Sequence, residues 1–470
     1  MPVLPCRTNL FPSHRELYQF LLAVQQNCLK SKCTQIVSIS LEVEQIDPLV
    51  VMENVSQPDQ LNFYFENKGK KEAIAAVDAV TRLKLSGENR FDRAQKFIQS
   101  CLANTSTFGT INHPFAGPHF FCSFAFFDRT NQADYPFPAA TVFLPRWQLA
   151  RQSDRCVFVA NLVIKFDINL EIVLQQLWQD FQEIILSKTS LYRKKSFRQE
   201  LIKTDVSSID NFKTSVLSSL ASIRENHLHK IVLAHAIDVN SSGPFNLFQC
   251  LKNLRRLHPD CYVFSTSNGK GQNFIGASPE RLISVHDHQL TTDALAGSAP
   301  RGKTAVEDAE LANQLLNSEK ERREHRVVID FITQRLYQLG IVPQILPPRL
   351  RQLSNIQHLW TPIQAKVPAT VHPLEIVAEL HPTPAVAGDG RNIAAQIRHY
   401  ESFERGLYAA PLGWVNHRGD SEFIVGIRSA LINGDRARLY AGAGIVVGSD
   451  PDREIAEVQL KLQALFKALV

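Results

Sequence analysis

The C-terminal segment combines a glycine-rich strand pattern over 440–447 with an amphipathic helix pattern that begins at Asp450 and Pro451. Asp450 suits the N-cap of a helix, and Pro451 fits the first turn, where a helix needs no amide donor. At about 100° per residue, one side of this helix is apolar, which predicts a face that packs against the core. The residues on that face are Ile455, Val458, Leu462, Leu465, Phe466 and Leu469.

Glu454, Glu457 and Lys461 fall together on a neighbouring stripe of the same helix. Two acids one turn apart repel each other, so a positive group is a natural occupant of the space in front of them. A solvated face is the other interpretation of such a pair. This segment alone leaves both interpretations open.

Size and charge limit the kind of protein. The 470 residues are 44% hydrophobic, which allows a large core in one or two domains. The formal net charge of +5 is small for this length, and the Lys and Arg residues are spread along the chain. This pattern argues against a nucleic-acid partner or an anionic membrane surface. No apolar segment is long enough to span a bilayer, and residues 1–17 lack the apolar region of a signal peptide. We therefore expect a cytoplasmic protein.

The eight cysteines include no CxxC pair and no cluster with histidine. They predict reduced thiols rather than disulfides or a zinc site.

Alternating and aromatic runs dominate the N-terminal third and predict strands, after a first helix over 14–30. Helices are also predicted over 71–80, 91–102 and 170–186. Because helices and strands mix without regular βαβ alternation, the sequence predicts the α+β class. The strand-like runs are CTQIVSISLEV, LNFYFEN, HFFCSFAFFD, ATVFLPRWQLAR and CVFVANLVI.

The polar segment 188–208 is the best linker candidate in the chain. It separates an N-terminal half, 1–187, from a C-terminal half, 209–470. In the second half, helix patterns cover 211–225, 244–257 and 319–337, and a strand pair turns at 268–271.

An Asn-Gly pair predicts a hairpin between the apolar runs 423–432 and 436–447. Arg428 would then lie in one strand, with Gly442 and Gly444 in the other. An arginine beside exposed backbone amides is a good site for a carboxylate.

Two residues have local settings suited to proton transfer. Lys230 opens a nearly continuous apolar strand, where desolvation lowers the pKa of an amine towards that of a general base. Glu280 follows a proline beside a run of small residues, and an apolar setting would raise its pKa so that it can donate a proton. Taken alone, Lys230 also fits the end of a buried strand, and Glu280 fits a strand-end acid paired with Arg281.

A carboxylate on an apolar helix face gives a stronger indication of function. On the helix predicted over 319–337, the apolar stripe also contains Glu321 and Glu324, and Glu324 points into its middle. Such a carboxylate is rare unless it is paired or bound to a metal. Together with Glu454 and Glu457, these acids offer oxygen ligands of the kind that Mg²⁺ prefers.

Residues Gly297 to Thr304 match the GxxxxGK[ST] pattern of a phosphate-binding loop. Pro300 removes one backbone amide from such a loop, and repeated βα units are missing around it. A nucleotide-binding NTPase is therefore a remote alternative.

Several long motifs of the C-terminal half, taken in order, resemble the chorismate-utilising enzymes, the family of isochorismate, salicylate, anthranilate and aminodeoxychorismate synthases. The resemblance implies one α+β body in which two sheet-and-helix halves enclose the site. It runs from about Lys230 to the C-terminus and is looser before it. The motifs are KIVLA, FIGASPERL, TDALAGSAPRG, SEKERREH, LHPTPAVAG, ESFERGLYAAPLGW, GIRSAL and YAGAGIVVGSDPDRE.

The resemblance implies roles for individual residues. Lys230 would be the general base that activates water for attack at C2 of chorismate, and Glu280 would protonate the departing C4 hydroxyl group. Glu324 and Glu457 would hold Mg²⁺, and Glu454 would assist through water. The implied substrate-binding residues are Gly297, Ala385, Val386, Tyr408, Arg428, Gly442, Gly444 and Lys461.

Ala385 is the residue that best separates the branches of the family. Ammonia-using members carry a threonine there, so the alanine resembles the water-using isochorismate synthases. The implied activity is a Mg²⁺-dependent, reversible conversion of chorismate to isochorismate, which would feed menaquinone, phylloquinone or siderophore synthesis. No amidotransferase subunit is expected, and the protein would be a monomer or a weak homodimer.

Two further alternatives stay open. A salicylate synthase would also use water and would then eliminate pyruvate. A catalytically silent protein would keep the pocket without turnover. His235 stands where many relatives have arginine, and we expect it to alter the hydrogen bonding around Lys230.

Overall fold

The computed structural model describes residues 14–110, 112–130, 135–186, 200–225, 228–353, 356–389 and 391–469. Residues 1–13, which carry most of the N-terminal segment discussed above, and residues 188–199 of the predicted linker lie outside this set. Within it, no helix combines the length and the apolar character needed to cross a membrane. The seven cysteines described are all free thiols.

The described residues form eleven helices and twenty-two strands. The helices are α1 (His14–Ser31), α2 (Pro48–Val55), α3 (Arg90–Ala103), α4 (Leu170–Leu186), α5 (Ile209–Arg224), α6 (Leu247–Leu257), α7 (Ala305–Asn317), α8 (Glu319–Gln338), α9 (Pro373–Leu380), α10 (Arg391–Tyr400) and α11 (Pro451–Leu469). The first eleven strands are β1 (Gln35–Val43), β2 (Asn62–Asn67), β3 (Glu72–Val77), β4 (Thr81–Leu85), β5 (Thr105–Gly109), β6 (His119–Phe124), β7 (Ala140–Leu144), β8 (Trp147–Gln152), β9 (Arg155–Ile164), β10 (Leu201–Asp205) and β11 (Lys230–Ser241). The remaining strands are β12 (Tyr262–Ser267), β13 (Gln272–Ser278), β14 (Arg281–His286), β15 (Gln289–Pro300), β16 (Gln344–Ile345), β17 (Arg349–Gln352), β18 (Ile356–Lys366), β19 (Pro411–Asn416), β20 (Ser421–Val425), β21 (Ser429–Asn433) and β22 (Arg436–Val446).

The strands build two large sheets, and each sheet draws on both sides of segment 188–208. One has twelve strands in the order β10-β11-β22-β21-β13-β12-β2-β3-β8-β9-β1-β5, and the other has ten in the order β16-β18-β15-β14-β20-β19-β6-β7-β4, with β17 beside β18. The pairs β12–β2 and β19–β6 join the N-terminal strands to the C-terminal ones. Every residue of β6, β7, β19 and β20 is buried, as expected for strands covered on both faces. The α+β class is confirmed.

The C-terminal helix α11 has the predicted form. Oδ1 of Asp450 accepts a hydrogen bond from the amide of Arg453 at 3.0 Å, and Pro451 is the first helical residue. The apolar face packs on β22, α5 and α6, and this packing fixes the orientation of the acid-bearing stripe. The buried members of that face include Ile455, Val458, Leu462, Leu465 and Leu469.

The helix predicted over 71–80 is wrong, because the central part of that segment is strand β3. Alanine favours a helix by local propensity, but β3 lies between β2 and β8 and is almost completely buried. Lys71 and Asp78, which flank β3, both have positive φ angles that end an element abruptly. Small side chains therefore serve close packing in the sheet, and tertiary context overrides helix propensity.

The strand predicted over 423–432 is also wrong as a single element. Residues up to Val425 belong to the ten-stranded sheet, and residues from Ser429 belong to the twelve-stranded sheet. Arg428 lies at the crossing between the sheets, with a φ of 50°, and not in a strand. The predicted Asn-Gly turn is confirmed, since it joins β21 to β22 with Gly434 at a φ of 60°.

Part of the predicted linker is structured. Strand β10 pairs antiparallel with β11 at the edge of the twelve-stranded sheet. This strand was not predicted, because its polar and charged residues give little hydrophobic pattern.

Candidate active site

A cleft of about 680 Å³ lies between the ends of α8 and α11 and strands of both sheets. Such a volume is in the range of small-molecule sites. Twelve of the thirteen residues to which the family resemblance assigns a role line the cleft, and the thirteenth, Lys230, lies behind its surface. The twelve are Glu280, Gly297, Glu324, Ala385, Val386, Tyr408, Arg428, Gly442, Gly444, Glu454, Glu457 and Lys461.

Lys230 is the first residue of β11 and is only 1% exposed. Its Nζ atom donates a hydrogen bond to Oε1 of Glu324 at 2.7 Å. Gly444, on the neighbouring strand β22, leaves room for this pair. A Cβ atom at position 444 would lie 2.9 Å from Oε1 of Glu324 and 3.3 Å from Cε of Lys230. A larger residue at position 444 would therefore displace the pair, which explains the glycine there.

Glu280 lies in the short connection between β13 and β14, where the hydroxyl group of Ser278 and the carbonyl of Glu280 hold the chain to β20. Its carboxyl group is buried, and no described residue donates a hydrogen bond to it. Burial, with repulsion from Asp293, raises its pKa to about 8, while the positive charges of Lys230 and Lys461 partly offset the effect. Glu280 therefore holds its proton at neutral pH, as a general acid must.

Four glutamates from α8 and α11 share one side of the cleft: Glu321, Glu324, Glu454 and Glu457. Burial, with repulsion from Glu457 and Glu324, raises the pKa of Glu454 to about 7. The pKa of Glu321 is raised by burial and by the charges of Glu324 and Glu457. The carboxylates therefore act on one another electrostatically, and a cation bound among them would offset their repulsion.

The donor set of this cluster fits a hard divalent cation, because it consists of carboxylate oxygens. No three of these glutamates bring oxygens within 4.8 Å of one another, whereas His286, Asp287 and Asp420 are the described residues that do. We nevertheless favour the glutamates, because they are partly buried and repel one another. His286 and Asp287 are exposed, and Asp420 already accepts a hydrogen bond from the Asp287 amide.

Positive groups and backbone line the remaining wall. Arg428 is partly buried, and its Nη1 atom is buried without a hydrogen-bond partner among the described residues. Lys461 lies 2.7 Å from Glu457 and donates to the carbonyl of Gly442 at 2.8 Å. A guanidinium that lines the cleft and carries an unpaired N–H group is suited to an anionic ligand such as a carboxylate.

Tyr408 and Gly442 define another part of the wall. The ring of Tyr408 stacks on that of Tyr440 at 5.2 Å between centroids. A Cβ atom on Gly442 would lie 3.0 Å from the Tyr408 hydroxyl oxygen, so a side chain there would crowd this wall.

His358 was not identified from the sequence. Its Nδ1 lies 3.0 Å from Oγ of Ser298, and its Nε2 faces Nη2 of Arg428 at 3.4 Å. Burial and the charge of Arg428 hold the pKa of His358 well below its usual value, so the ring is neutral and Nε2 accepts from the arginine. A lone histidine in a strand carries no sequence signal for such a contact.

Arg405 was also missed, although it lies within the ESFERGLY motif. Its guanidinium is fully buried and donates to the carbonyl oxygens of Val232 and Val386 at 2.8 Å each. It is paired with Glu401 and lies over the ring of Phe126 at 4.4 Å. Because Val232 and Val386 line the cleft, Arg405 fixes the shape of its wall.

The segment from Gly297 to Thr304 is not a phosphate-binding loop. Its first part is strand β15, which is antiparallel to β14 and β18. The amide of Gly302 donates to Asp308, and the amide of Lys303 donates to Glu307. Carboxylates thus accept the hydrogen bonds of the backbone amides that a phosphate would need.

His235 does not contact Lys230, contrary to the expectation above. The two residues point to opposite faces of β11 because they are five residues apart. Nε2 of His235 lies 3.1 Å from Asp205 of strand β10, and its ring contacts Phe212.

A family model described as "Chorismate binding enzyme" matches residues 23–470. The chain belongs to the chorismate-binding enzymes. This assignment confirms the resemblance inferred from the motifs. Relatives in the family include the "Salicylate biosynthesis isochorismate synthase" of Pseudomonas aeruginosa, which is 32% identical over 440 residues, covering 92% of this chain and 90% of that protein. "Isochorismate synthase MenF" of Bacillus subtilis is 29% identical over 92% of this chain and 93% of its own length.

Solved structures agree with this assignment. The menaquinone-specific isochorismate synthase MenF from Escherichia coli has a TM-score of 0.77 at 27% identity, covering 96% of this chain and 100% of that one. Anthranilate synthase component I from Streptococcus pneumoniae shares the fold, with a TM-score of 0.69 at 21% identity, over 84% of this chain and 92% of its own.

Proposed function

We propose that this chorismate-binding enzyme is an isochorismate synthase, which exchanges the C4 hydroxyl group of chorismate for a hydroxyl group at C2. The observation that carries the proposal is the buried carboxyl group of Glu280 in a cleft backed by the buried amine of Lys230. An acid and a base in one desolvated site are what the exchange requires. The names of the relatives support the same activity.

In the proposed reaction, Lys230 is the base that takes a proton from water as the water oxygen attacks C2. The ring double bonds shift, and the C4–O bond breaks. Glu280 gives its proton to the departing oxygen, which leaves as a second water molecule. One water enters and one leaves, so the reaction is reversible without any other reactant. The proton on Lys230 then returns to Glu280 through solvent.

Substrate binding falls to groups of the opposite charge. Arg428 and Lys461 would bind carboxylate oxygens of chorismate, Tyr408 would pack against the substrate, and backbone amides around Gly297, Gly442 and Gly444 would complete the contacts. Arg428 supports this role because its buried Nη1 atom is free of protein partners among the described residues. Ala385 and Val386 form a small apolar part of the wall. An alanine at position 385, where ammonia-using members of the family carry a threonine, supports water as the nucleophile.

The metal belongs to the same proposal. Glu324 and Glu457 would hold Mg²⁺, and Glu454 would assist through water; once bound, the ion would supply positive charge for a ring carboxylate of the substrate. The mutual repulsion of these acids supports the assignment. We further propose that the protein works without an amidotransferase subunit, as a monomer or weak homodimer. A cytoplasmic location and the feeding of quinone or siderophore synthesis stay predictions.

Product analysis tests the function. Purified protein is incubated with chorismate, with Mg²⁺ or with EDTA, beside the variants Lys230→Ala and Glu280→Gln, and products are separated by chromatography and identified by mass. Isochorismate that requires Mg²⁺ and is lost in both variants is the expected result. Salicylate with an equal amount of pyruvate would instead assign a salicylate synthase. Absence of turnover in the wild-type protein would contradict the enzymatic proposal.

A further inference from the structure

Lys320 is a positively charged residue of the cleft that has no role in the proposed reaction. It is the second residue of α8 and lines the cleft. Its Nζ atom lies 3.7 Å from Oε1 of Glu321 on the same helix and 3.8 Å from Oε1 of Glu454 on α11. The ammonium group thus stands between two helices, among the acids assigned to the metal.

Lys320 is held more loosely than the other two lysines of the cluster. Lys230 and Lys461 each lie 2.7 Å from a carboxylate oxygen, at hydrogen-bond distance, and their side chains are 2% and 20% exposed. The side chain of Lys320 is 38% exposed, and both of its distances exceed those of a hydrogen bond. Of the three ammonium groups, it is therefore the one that yields its place to another cation most easily.

A positive charge in this position weakens the attraction of the cluster for a metal. Lys320 reduces the negative potential that the four glutamates create, and a divalent cation depends on that same potential. At about 4 Å and in a partly solvated site, one unit charge changes the binding of a divalent ion by roughly a factor of ten.

We propose that Lys320 is a competing cation that sets the affinity of the glutamate cluster for divalent metal. This inference rests on the metal site of the proposed function. Lys320 partly offsets the repulsion between the acids before the metal binds, and its ammonium group swings towards solvent when the metal takes its place. Metal binding is therefore weaker, and more easily reversed, than the number of carboxylates alone would give.

Mn²⁺ titration followed by electron paramagnetic resonance tests the inference directly, because free Mn²⁺ gives the signal and Mn²⁺ accepts the same oxygen ligands as Mg²⁺. The titration needs no substrate and no turnover. Lys320→Met is expected to bind Mn²⁺ about tenfold more tightly than the wild-type protein. Lys320→Arg, which keeps the charge, is expected to stay within about twofold.

Arg323→Met is the matched control, since it removes one positive charge from the same helix. The Arg323 side chain is exposed, and its Nε donates to the carbonyl of Glu319. It is expected to change the affinity by less than about twofold, because screened charges outside the cluster contribute little. If Arg323→Met and Lys320→Met increase the affinity for Mn²⁺ equally, the effect comes from the net charge of the protein, and the inference is overturned.

Glu324→Gln separates this inference from the site on which it rests. If Glu324→Gln weakens Mn²⁺ binding but Lys320→Met leaves it unchanged or weakens it, the role of Lys320 is overturned and the metal site stays in place. Mn²⁺ binding that neither variant changes overturns both. Isochorismate formation at saturating Mg²⁺ is measured separately, so a failure of the proposed reaction is recognised independently of the metal titration.

Discussion

The Nζ atom of Lys230 and Oε1 of Glu324 lie 2.7 Å apart, in a pair whose side chains are only 2% and 12% exposed. This contact joins the first residue of a strand to a helix almost a hundred residues later, and it brings the proposed base to a proposed metal ligand. Both groups therefore depend on each other for compensation of charge.

Removal of one partner is expected to destabilise the protein more than removal of both. Lys230→Met leaves a nearly buried carboxylate without its cation, which costs roughly 3–5 kcal/mol in the free energy of unfolding. The double variant Lys230→Met/Glu324→Gln removes both charges and should recover most of that loss, while turnover stays absent. Urea unfolding of the four proteins of this cycle measures the coupling. Additive losses would mean that the ion pair does not form.

Glu280 predicts a specific dependence of activity on pH. Because burial raises its pKa to about 8, the general acid loses its proton as the pH rises through that value, and activity should fall along this limb. The pH profile of kcat/KM measures the limb. A profile that stays flat to pH 9 would contradict the assignment of Glu280 as the acid.

The raised pKa of Glu280 also predicts how the stability of the fold depends on pH. The folded state keeps the proton of Glu280 between about pH 4.5 and 8, whereas the unfolded state releases it, so this group stabilises the fold at low pH and progressively less as the pH rises. Glu280→Gln does not titrate. Its melting temperature relative to the wild-type protein should therefore increase from pH 5 to pH 8, although the variant is inactive. A constant difference would mean that the pKa is not raised.

Gly444→Ala is expected to impair activity with little loss of fold. The added methyl group would lie 2.9 Å from Oε1 of Glu324 and 3.3 Å from Cε of Lys230, and it would push the pair apart. A drop in turnover of at least tenfold is expected, since small displacements of catalytic groups have large effects. Gly69→Ala, in the turn between β2 and β3, is the control and should behave as wild type. Full activity of Gly444→Ala would show that this spacing is not needed.

Arg405→Lys keeps the charge but cannot reproduce the fork of hydrogen bonds to Val232, Val386 and Glu401. We expect a loss of about 2–4 kcal/mol in the free energy of unfolding and a higher KM for chorismate, because the cleft wall is no longer held. Arg326→Lys is the control; Arg326 is 74% exposed in an ion pair on α8 and should change stability by less than about 0.5 kcal/mol. Wild-type KM in Arg405→Lys would contradict a positioning role.

Helix geometry made the acid side of the cleft predictable. The angular position of Glu324 among apolar residues, and the shared stripe of Glu454 and Glu457, follow from the period of a helix and place these acids towards the interior. Both helices are present with nearly the predicted bounds. The family resemblance of the motifs adds the other residues with assigned roles, so twelve residues of the cleft lining are predictable from the sequence.

Contacts between distant segments could not be predicted in this way. The Arg428–His358 contact depends on a chain crossing between two sheets, which a hydrophobic pattern represents as one strand. Strand β3 depends on burial between β2 and β8, which its alanines do not encode locally. In both cases tertiary packing, and not local propensity, decides the structure.

Oxygen labelling tests the central claim, the attack of water at C2. Chorismate is incubated with the protein and Mg²⁺ in H₂¹⁸O, and isochorismate is analysed by mass spectrometry at early times, before the reverse reaction contributes. The account predicts that isochorismate carries one ¹⁸O in its C2 hydroxyl group. Isochorismate formed without the label would mean that the hydroxyl group migrates within the substrate, and would contradict the mechanism assigned to Lys230 and Glu280.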